Sequence, residues 1–239
     1  VVTPTVDQGA GTHTILQQLV AEEMQIPIEQ VRVVAGDTDV APRDSGARAS
    51  RVTYVASRAA VKACGKLRTQ LVAQAARTLE CSSNEVDFRD GKFLFRRDPS
   101  QQIPLRKVVA QAGRPLTITV DENSPYPEDV TYICAQVAEV EVDPETGKLR
   151  PHRFVTAHDV GTIINPITHQ GQIDGGVVMG IGQALMEELV MEGGQVTNAS
   201  LGDYKLPTVA DIPELKTVLV RTAGSVAPYE AKAIGEFAN

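Results

Sequence analysis

The feature that most constrains the fold of this sequence is a long helical pattern that follows a polar loop, residues 36–49, and runs through Cys81. Apolar residues recur in it at intervals of three or four, which places them on one stripe of a helix. The pattern therefore predicts one long helix that follows the loop and extends through Cys81. The stripe consists of Val52, Val55, Ala59, Ala63, Leu67 and Leu71.

Shorter segments of helical and strand character surround this helix. VDFRDGKFLF is typical of a β-hairpin, because Asp90 and Gly91 both tolerate a positive φ. The pattern predicts an α+β fold with mixed sheets and packed helices. The 239 residues suffice for one large domain or for two sub-domains, roughly residues 1–125 and 126–239. We predict helices at residues 12–24, 105–112 and 172–191, and strands at residues 1–6, 31–35, 116–120, 130–142, 149–157 and 217–221.

Charge and hydropathy argue against two classes of partner. The net charge of −7 leaves no basic face to neutralise phosphates, which argues against nucleic acid. No apolar run approaches the roughly 20 residues of a membrane-spanning helix, so we expect no membrane association. The start, VVTPTVDQG, has neither an initiating Met nor the pattern of a signal peptide. We therefore expect the chain to be a piece of a longer polypeptide.

Cysteine and histidine usage indicates a reducing compartment and no metal held by side chains. Cys64, Cys81 and Cys134 are widely spaced and odd in number, which is a poor disulfide framework and predicts a cytoplasmic protein. The four histidines lack the spacing of a metal site. A metal that takes part must therefore be carried by another group.

The first candidate binding loop is VDQGAGTHT. Gly9 and Gly11 would let the backbone approach a ligand, Gln8 offers a donor and an acceptor, and the following helix N-terminus suits an anion. The alternative is an ordinary strand-to-helix turn with Thr12 as the cap, which this stretch alone favours. The spacing is not that of a dinucleotide fingerprint, so no Rossmann site is predicted.

The second candidate loop is DTDVAPRDSGARASRVTY. Its hydroxyls and two arginines stand ahead of the long helix, an arrangement that could hold a phosphate. Alternatively, Ser50 only caps that helix, and Arg48 and Arg51 only pair with nearby acids. The acids within reach are Asp37, Asp39 and Asp44.

The third candidate segment is NPITHQGQIDGGVVMGIGQAL. Each glycine inside a helix costs about 0.5 to 1 kcal/mol relative to Ala. Close packing of the helix against another backbone or a ligand would explain the glycines. Packing alone does not explain Gln172 at the helix entrance, and its side-chain amide could bind the edge of a ligand. The glycines concerned are Gly175, Gly176, Gly180 and Gly182.

The last acid of the chain, Glu236, lies in the apolar, small-residue segment AKAIGEFAN. A carboxylate is costly to desolvate unless it is paired or protonated. Glu236 is therefore either at the surface or there for chemistry, and the local sequence leaves both open.

The chain resembles the molybdopterin-binding subunit of the xanthine dehydrogenase and aldehyde oxidase family of molybdenum hydroxylases. The resemblance spans nearly the whole chain and corresponds to the second, C-terminal half of the cofactor-binding region. It implies the fold of the second molybdopterin-binding domain of the xanthine dehydrogenase type. In chain order it is carried by QGAGTHT, by GDTDVAP with SGARASRVTY, by HDVGTIINP with GQIDGGVVMGIGQALMEEL, and by the closing K-x-x-G-E at Lys232 to Glu236.

The resemblance implies roles for particular residues. Glu236 matches the general base that takes a proton from the hydroxyl attacking an electrophilic substrate carbon, a role that calls for a dry pocket. Gln8 matches a glutamine beside the metal centre, and Gln172 matches an amide that binds the pterin. The loop along the pterin and its phosphate is matched by Ala47, Arg48, Ala49, Ser50 and Thr53.

The cofactor implied is molybdenum–molybdopterin, with the cytosine dinucleotide form as one option and the metal held by the pterin dithiolene. The reaction implied is oxidative hydroxylation of an aldehyde or of an N-heterocyclic or aromatic carbon, with water as the oxygen source. The partners implied are the first molybdopterin-binding domain of the same enzyme, iron–sulfur and FAD modules, and a small-molecule substrate. We expect the chain by itself to be inactive, free of cofactor and prone to self-association.

The chain departs from the family pattern at two places. Phe237-Ala238 stands where the family often has a proline pair, and Arg48 stands where many relatives have a small residue. Two other functions remain as alternatives. One is a non-catalytic interaction or structural subunit of a multi-subunit oxidoreductase complex, with Glu236 exposed. The other, an unrelated α+β hydrolase, is disfavoured because the chain has no GxSxG elbow.

Overall fold

A computed structural model describes residues 1–48, 50–122 and 132–236. The chain divides into two compact units, Val1–Tyr126 and Pro127–Asn239. The α+β expectation is confirmed, because helices and mixed sheets are both present. The helices are α1 (Thr12–Met24), α2 (Arg51–Thr78), α3 (Leu105–Gln111) and α4 (Pro166–Leu185). The strands are β1 (Val2–Thr3), β2 (Val34–Ala35), β3 (Val86–Arg89), β4 (Lys92–Phe95), β5 (Asp98–Pro104), β6 (Cys134–Val142), β7 (Leu149–Asp159), β8 (Met191–Glu192), β9 (Gln195–Val196) and β10 (Glu214–Val220).

The first unit is built around α2. One core forms where α2 packs with α1, α3 and the antiparallel sheet β3-β4-β5. Leu71, Phe93 and Val108 are fully buried in it. A parallel pair, β1 with β2, brings the N-terminal segment next to residues 34–35.

The long helix is confirmed, but its buried face differs from the predicted stripe. Of that stripe only Leu71 is buried, and Leu67 packs at the edge of the core. The face that is buried includes Ser57 and a thiol, which hydropathy alone passes over. Its members are Tyr54, Ser57, Cys64, Leu71, Ala75 and Ala76.

The second unit has one three-stranded sheet, in the order β10-β7-β6, with α4 on one face. β10 runs parallel to β7, and β6 runs antiparallel to it. The apolar stripe of α4, Ile173, Val177 and Ile181, forms a small core with residues of the sheet and of the C-terminal segment. The partners in this core are Phe154, Leu215, Leu219 and Ile234.

The predicted bounds hold for some elements and are wrong for others. α1 is confirmed, and the hairpin turns at Asp90 and Gly91, whose φ values are 50° and 66°. No strand forms at residues 116–120; Leu116 instead packs against the first core. Of the strand predicted at 130–142, residues 130 and 131 lie outside the described residues, and β6 begins at Cys134.

The third main helix begins six residues earlier than the predicted Gln172. Asn165 is its N-cap and accepts a hydrogen bond from the Thr168 amide, and Pro166 occupies the first turn. Proline suits this position because its fixed φ is helical and its missing N–H is not needed there. No helix in the described part of the chain is both long and apolar enough to cross a lipid bilayer.

Candidate cofactor and catalytic site

The turn that carries Gln8 is closed by Asp7. The Asp7 carboxylate accepts hydrogen bonds from the amides of Gly9 at 2.9 Å, Gly11 at 3.1 Å and His13 at 3.4 Å. Gly11, with φ 74°, is the N-cap of α1, so Thr12 is not the cap. The amides at this helix N-terminus do bind an anion, and that anion is the chain's own Asp7 carboxylate. Gln8 itself is exposed.

The second loop is organised by Asp44. Its carboxylate accepts hydrogen bonds from Arg51 at 3.0 Å, from the Gly46 amide at 2.6 Å and from the Thr5 hydroxyl at 3.4 Å. Burial raises the pKa of Asp44, but the Arg51 and Gly46 hydrogen bonds more than offset this and hold the pKa below its ordinary value. Because Thr5 is three residues from Gln8, Asp44 ties the segment that carries Gln8 to the loop ahead of α2.

The residues expected along the pterin lie on this loop and on the first turn of α2. Arg51 pairs with Asp44, as the structural alternative predicted, whereas Arg48 is exposed. Ser50 is the N-cap of α2 with φ 51°, but its side chain does not cap the helix. Ala47 and Thr53 are half-buried, and Ala49 lies outside the described residues.

Gln172 stands on α4, half-buried, beside the fully buried Ile173. Strand β7 of the same unit carries two buried polar residues, Thr156 and His158, whose pairing the sequence motifs did not predict. His158 is 2% exposed and its Nε2 lies 2.6 Å from the Thr156 hydroxyl. Burial lowers the pKa of His158, and burial together with His158 lowers the pKa of His169 to about 4.

The glycines of α4 serve different purposes. A Cβ on Gly182 would lie 2.3 Å from a Glu187 carboxylate oxygen and 2.8 Å from Pro207, so this glycine is required for packing. A Cβ on Gly175 would meet no described atom within 4 Å. Packing within the chain therefore accounts for Gly182 and leaves Gly175 facing open space.

Glu236 is exposed at the end of a segment that docks on the HDVG motif. Ala231 forms an antiparallel bridge with Gly161, and the Lys232 amide donates to the Val160 carbonyl at 3.0 Å. Two residues before Glu236, Ile234 packs against the α4 core. The segment is thus attached to the rest of the second unit as far as Ile234, the residue before Gly235 and Glu236.

An ion pair that sequence reasoning missed joins the same two motifs. The Lys232 ammonium lies 2.5 Å from the Asp159 carboxylate and donates to the Thr222 hydroxyl at 2.9 Å. Thr222 in turn donates to Asp159 at 2.6 Å. Burial raises the pKa of Asp159, but hydrogen bonds from Lys232 and Thr222 more than offset this and lower it. Both charged residues lie in motifs that the resemblance already used, although nothing in their spacing predicts that they pair.

The expected site residues therefore lie in both units. Gln8 and the loop from Ala47 to Thr53 belong to the first, and Gln172 and Glu236 belong to the second. Within the described ranges, no group of three His, Cys, Asp or Glu side chains is arranged to hold a metal ion. Cys64, Cys81 and Cys134 are free thiols.

Comparison with known proteins decides the family. The sequence model of one protein family, the molybdopterin cofactor-binding domain, matches residues 1–213. The chain belongs to this family. The resemblance to molybdenum-binding subunits of the xanthine dehydrogenase type is thereby confirmed.

The molybdopterin-binding relatives are considerably longer than the chain. The xanthine dehydrogenase molybdenum-binding subunit of Escherichia coli O157:H7 is 34% identical over 242 residues, which cover 95% of the chain and 31% of that subunit. Subunit gamma of the 6-hydroxypseudooxynicotine dehydrogenase complex of Paenarthrobacter nicotinovorans is 36% identical over 244 residues, with coverage of 95% and 30%. The crystal structure of quinoline 2-oxidoreductase from Pseudomonas putida 86 superposes with a TM-score of 0.84 at 30% identity, with coverage of 99% and 31%. The chain thus spans about 30% of the length of these proteins.

Proposed function

We infer that the chain is the C-terminal part of the cofactor-binding region of a molybdenum hydroxylase, with Glu236 as its general base. The observation that carries the inference is the docking of the Lys232–Glu236 segment on the HDVG motif and on α4, the helix that bears Gln172. The HDVG motif lies within the family match and the Lys232–Glu236 segment lies beyond it. The two are distant in sequence, and their contact places the Glu236 carboxylate on the same unit as Gln172.

The residues present fit a molybdopterin group in their chemistry. Gln8 and Gln172 offer amide donors and acceptors to pterin edges, and the exposed Arg48 offers a guanidinium to a phosphate. Gly9 and Gly46 have positive φ values and open space where a Cβ would be, so their backbone can be approached closely. Ala47, Ala49, Ser50 and Thr53 would complete the loop along the group. When bound, the group would supply the acceptor for the two electrons that leave the substrate carbon.

Glu236 would act on the oxygen side of the reaction. Its carboxylate would accept the proton of the water-derived nucleophile as that nucleophile attacks the substrate carbon. Glu236 is exposed in this chain, so the dry surroundings that such a base needs would come from the first molybdopterin-binding domain. An aldehyde or an N-heterocycle is the substrate class we propose; two of the relatives are named for xanthine and quinoline, both N-heterocycles.

The remaining components of the enzyme are part of the same proposal. Iron–sulfur and FAD modules on other domains or subunits would carry the electrons away, and one relative is named as a subunit of a complex. The cytosine dinucleotide form of the pterin and a cytoplasmic location belong to the proposal as well.

The test is Glu236→Gln in the full-length enzyme assembled with its cofactor, assayed on a panel of aldehydes and N-heterocycles. We expect kcat to fall by several orders of magnitude at unchanged molybdenum content, because the amide cannot accept the proton; loss of a positioned base alone is worth about 10² to 10⁴. The matched control is Glu145→Gln, an exposed acid in the turn between β6 and β7, which should leave kcat unchanged.

The opposite result has a definite meaning. If Glu236→Gln keeps full turnover, the chain belongs to a non-catalytic interaction or structural subunit, the function that the exposure of Glu236 would favour.

A further inference from the structure

Lys232 is an unusual lysine because its charge is enclosed. The residue is 8% exposed, and its side chain and that of Asp159 are 6% and 11% exposed. Lysine is almost never buried without a partner. Here the ammonium has two, the Asp159 carboxylate and the Thr222 hydroxyl, and these two are themselves hydrogen-bonded. The three side chains form a closed triangle, which we call the Lys232 clamp.

Stability alone is a poor explanation for such a clamp. The free-energy cost of removing two charges from water often exceeds the gain from their attraction. Well-packed apolar residues at the same positions would stabilise the fold as well or better. The best-attested use of buried polar pairs is to fix one arrangement among several. The clamp joins three separate stretches of the chain, namely the end of β7, the segment after β10 and the C-terminal segment.

The neighbouring contacts show which arrangement is fixed. The Lys232 amide pairs with the Val160 carbonyl, and the Ser225 hydroxyl donates to the Ala231 carbonyl at 2.7 Å. A Cβ on Gly161 would lie 2.2 Å from the Glu230 carbonyl oxygen, so the two backbones are in close contact. The residues around Lys232 are therefore held both by backbone contacts and by the side chains of the clamp.

Beyond Lys232 the attachment decreases toward Glu236. Ala233 is buried, Ile234 and Gly235 are half-buried, and Glu236 is exposed. Four residues span at most about 14 Å, and Gly235 allows many backbone conformations immediately before Glu236. The position of the Glu236 carboxylate therefore depends on how firmly the contacts of Lys232 and Ile234 fix the backbone that leads to it.

We propose that the Lys232 clamp, formed with Asp159 and Thr222, is a positioning device that fixes the backbone from which Glu236 reaches the reacting atoms. Lys232 is a positioning residue in this account, and it acts only through Glu236. The inference rests on the proposed function of Glu236 as the base.

The test uses the full-length enzyme with its cofactor and compares Lys232→Met with Lys216→Met, an exposed lysine on β10. Methionine keeps the length of the side chain and removes its charge. We expect kcat per molybdenum to fall about 100-fold in Lys232→Met, with KM changed less than about threefold, because a displacement of about 1 Å at the reacting group has an effect of that size. Lys232→Arg should recover about tenfold of this loss, since it restores the charge and its hydrogen bonds, and Lys216→Met should match the unmodified enzyme.

Hydrogen exchange gives a readout that does not depend on turnover. In Lys232→Met, the amides of residues 233–236 should exchange about tenfold faster, whereas the amides of α4 should be unchanged. Thr222→Val is the milder variant in case Lys232→Met does not fold. It removes two hydrogen bonds, one with Lys232 and one with Asp159, retains the ion pair, and should lower kcat about threefold to tenfold at full molybdenum content.

Three results overturn the proposal. Unchanged kcat per molybdenum in Lys232→Met, or in Thr222→Val if only that variant folds, would make the clamp a purely structural contact even if the melting temperature falls. Equal exchange of residues 233–236 in mutant and unmodified enzyme would show that the clamp does not hold this segment. Full activity of Glu236→Gln would remove the base itself, so failure of the proposed function is distinguished from failure of the clamp.

Discussion

At the scale of single residues, the second unit contains two histidines in surroundings that disfavour their charged form. His158 is buried on β7, and within the described residues the Nε2 atom of His169 is buried without a hydrogen-bond partner. A buried polar atom without a partner is costly, and protonation would increase the cost. The pKa of His169 is about 4 in the folded chain against about 6.5 in the unfolded chain.

This difference predicts how stability depends on pH. Between about pH 6.5 and pH 4 the unfolded chain binds more protons than the folded chain, so stability is fully present above pH 6.5 and is lost as the pH falls. We expect the free energy of unfolding of the second unit to decrease by up to about 1.4 kcal/mol per pH unit from His169 in this range. Urea denaturation at pH 7, 6 and 5 measures the slope.

The histidine responsible can be identified by substitution. His169→Leu should reduce the slope, and it should not destabilise the chain at pH 7, because it removes an unpaired polar atom. The exposed His152, which pairs with Glu141 at the surface, serves as the control in His152→Leu. An unchanged slope in His169→Leu would contradict the assignment.

At the scale of elements, α4 shows what periodicity and turn residues predict. The sequence contains the cap, Asn165, and the proline of the first turn, and the predicted start at Gln172 is wrong because these two signals were not used to place the start of the helix. In the structure Gly171 and Gly175 stand inside the helix on its exposed side. Their presence is compatible with a helix because tertiary packing of Ile173 and Val177 outweighs their low propensity.

The glycines of α4 carry a prediction of their own. Gly175→Ala should stabilise the isolated chain by about 0.5 to 1 kcal/mol, because alanine is the better helix former and its Cβ would meet no described atom. Gly182→Ala should instead destabilise the chain by about 1 to 3 kcal/mol, since its Cβ would collide with Glu187 and Pro207. Thermal unfolding of the two variants side by side measures both effects, and equal shifts would contradict the packing described for Gly182.

The same reasoning explains what the sequence could and could not predict of the site. Loop motifs alone did not assign roles to Gln8, the 47–53 loop, Gln172 and Glu236; the resemblance to the molybdenum hydroxylase family implied those roles. They could not reveal that Asp7 closes the α1 N-terminus or that Lys232 pairs with Asp159. Both depend on contacts between side chains whose partner is chosen by the tertiary fold and not by spacing. The buried face of α2 was misplaced for a related reason, because Ser57 and Cys64 are buried by their neighbours despite their modest hydropathy.

At the scale of the whole molecule, the chain spans about 30% of the length of its relatives. Many apolar side chains of the second unit are exposed. Large exposed apolar areas mark surfaces that other chains or domains cover. Examples are Val137 at 67%, Val209 at 89%, Ile167 at 82% and Ile133 at 63% exposure.

We expect the isolated chain to self-associate through these surfaces. Sedimentation velocity over a concentration series should show species larger than the monomer, and the double variant Ile167→Gln/Val209→Gln should shift the equilibrium toward monomer. Both positions are more than four-fifths exposed, so the substitutions should leave the melting temperature unchanged. A sharp monomer boundary at the highest concentration would contradict this expectation.

The Lys232 clamp also bears on the order in which the protein is made. Asp159, the last residue of β7, precedes Lys232 by 73 residues, so on a translating ribosome this carboxylate is synthesised well before the ammonium that pairs with it. Long-range contacts of this kind form late, after local helices and hairpins. The segment that carries Glu236 can therefore take its final place only after Lys232 has been synthesised, and a nascent chain interrupted before that residue lacks the cation that Asp159 requires.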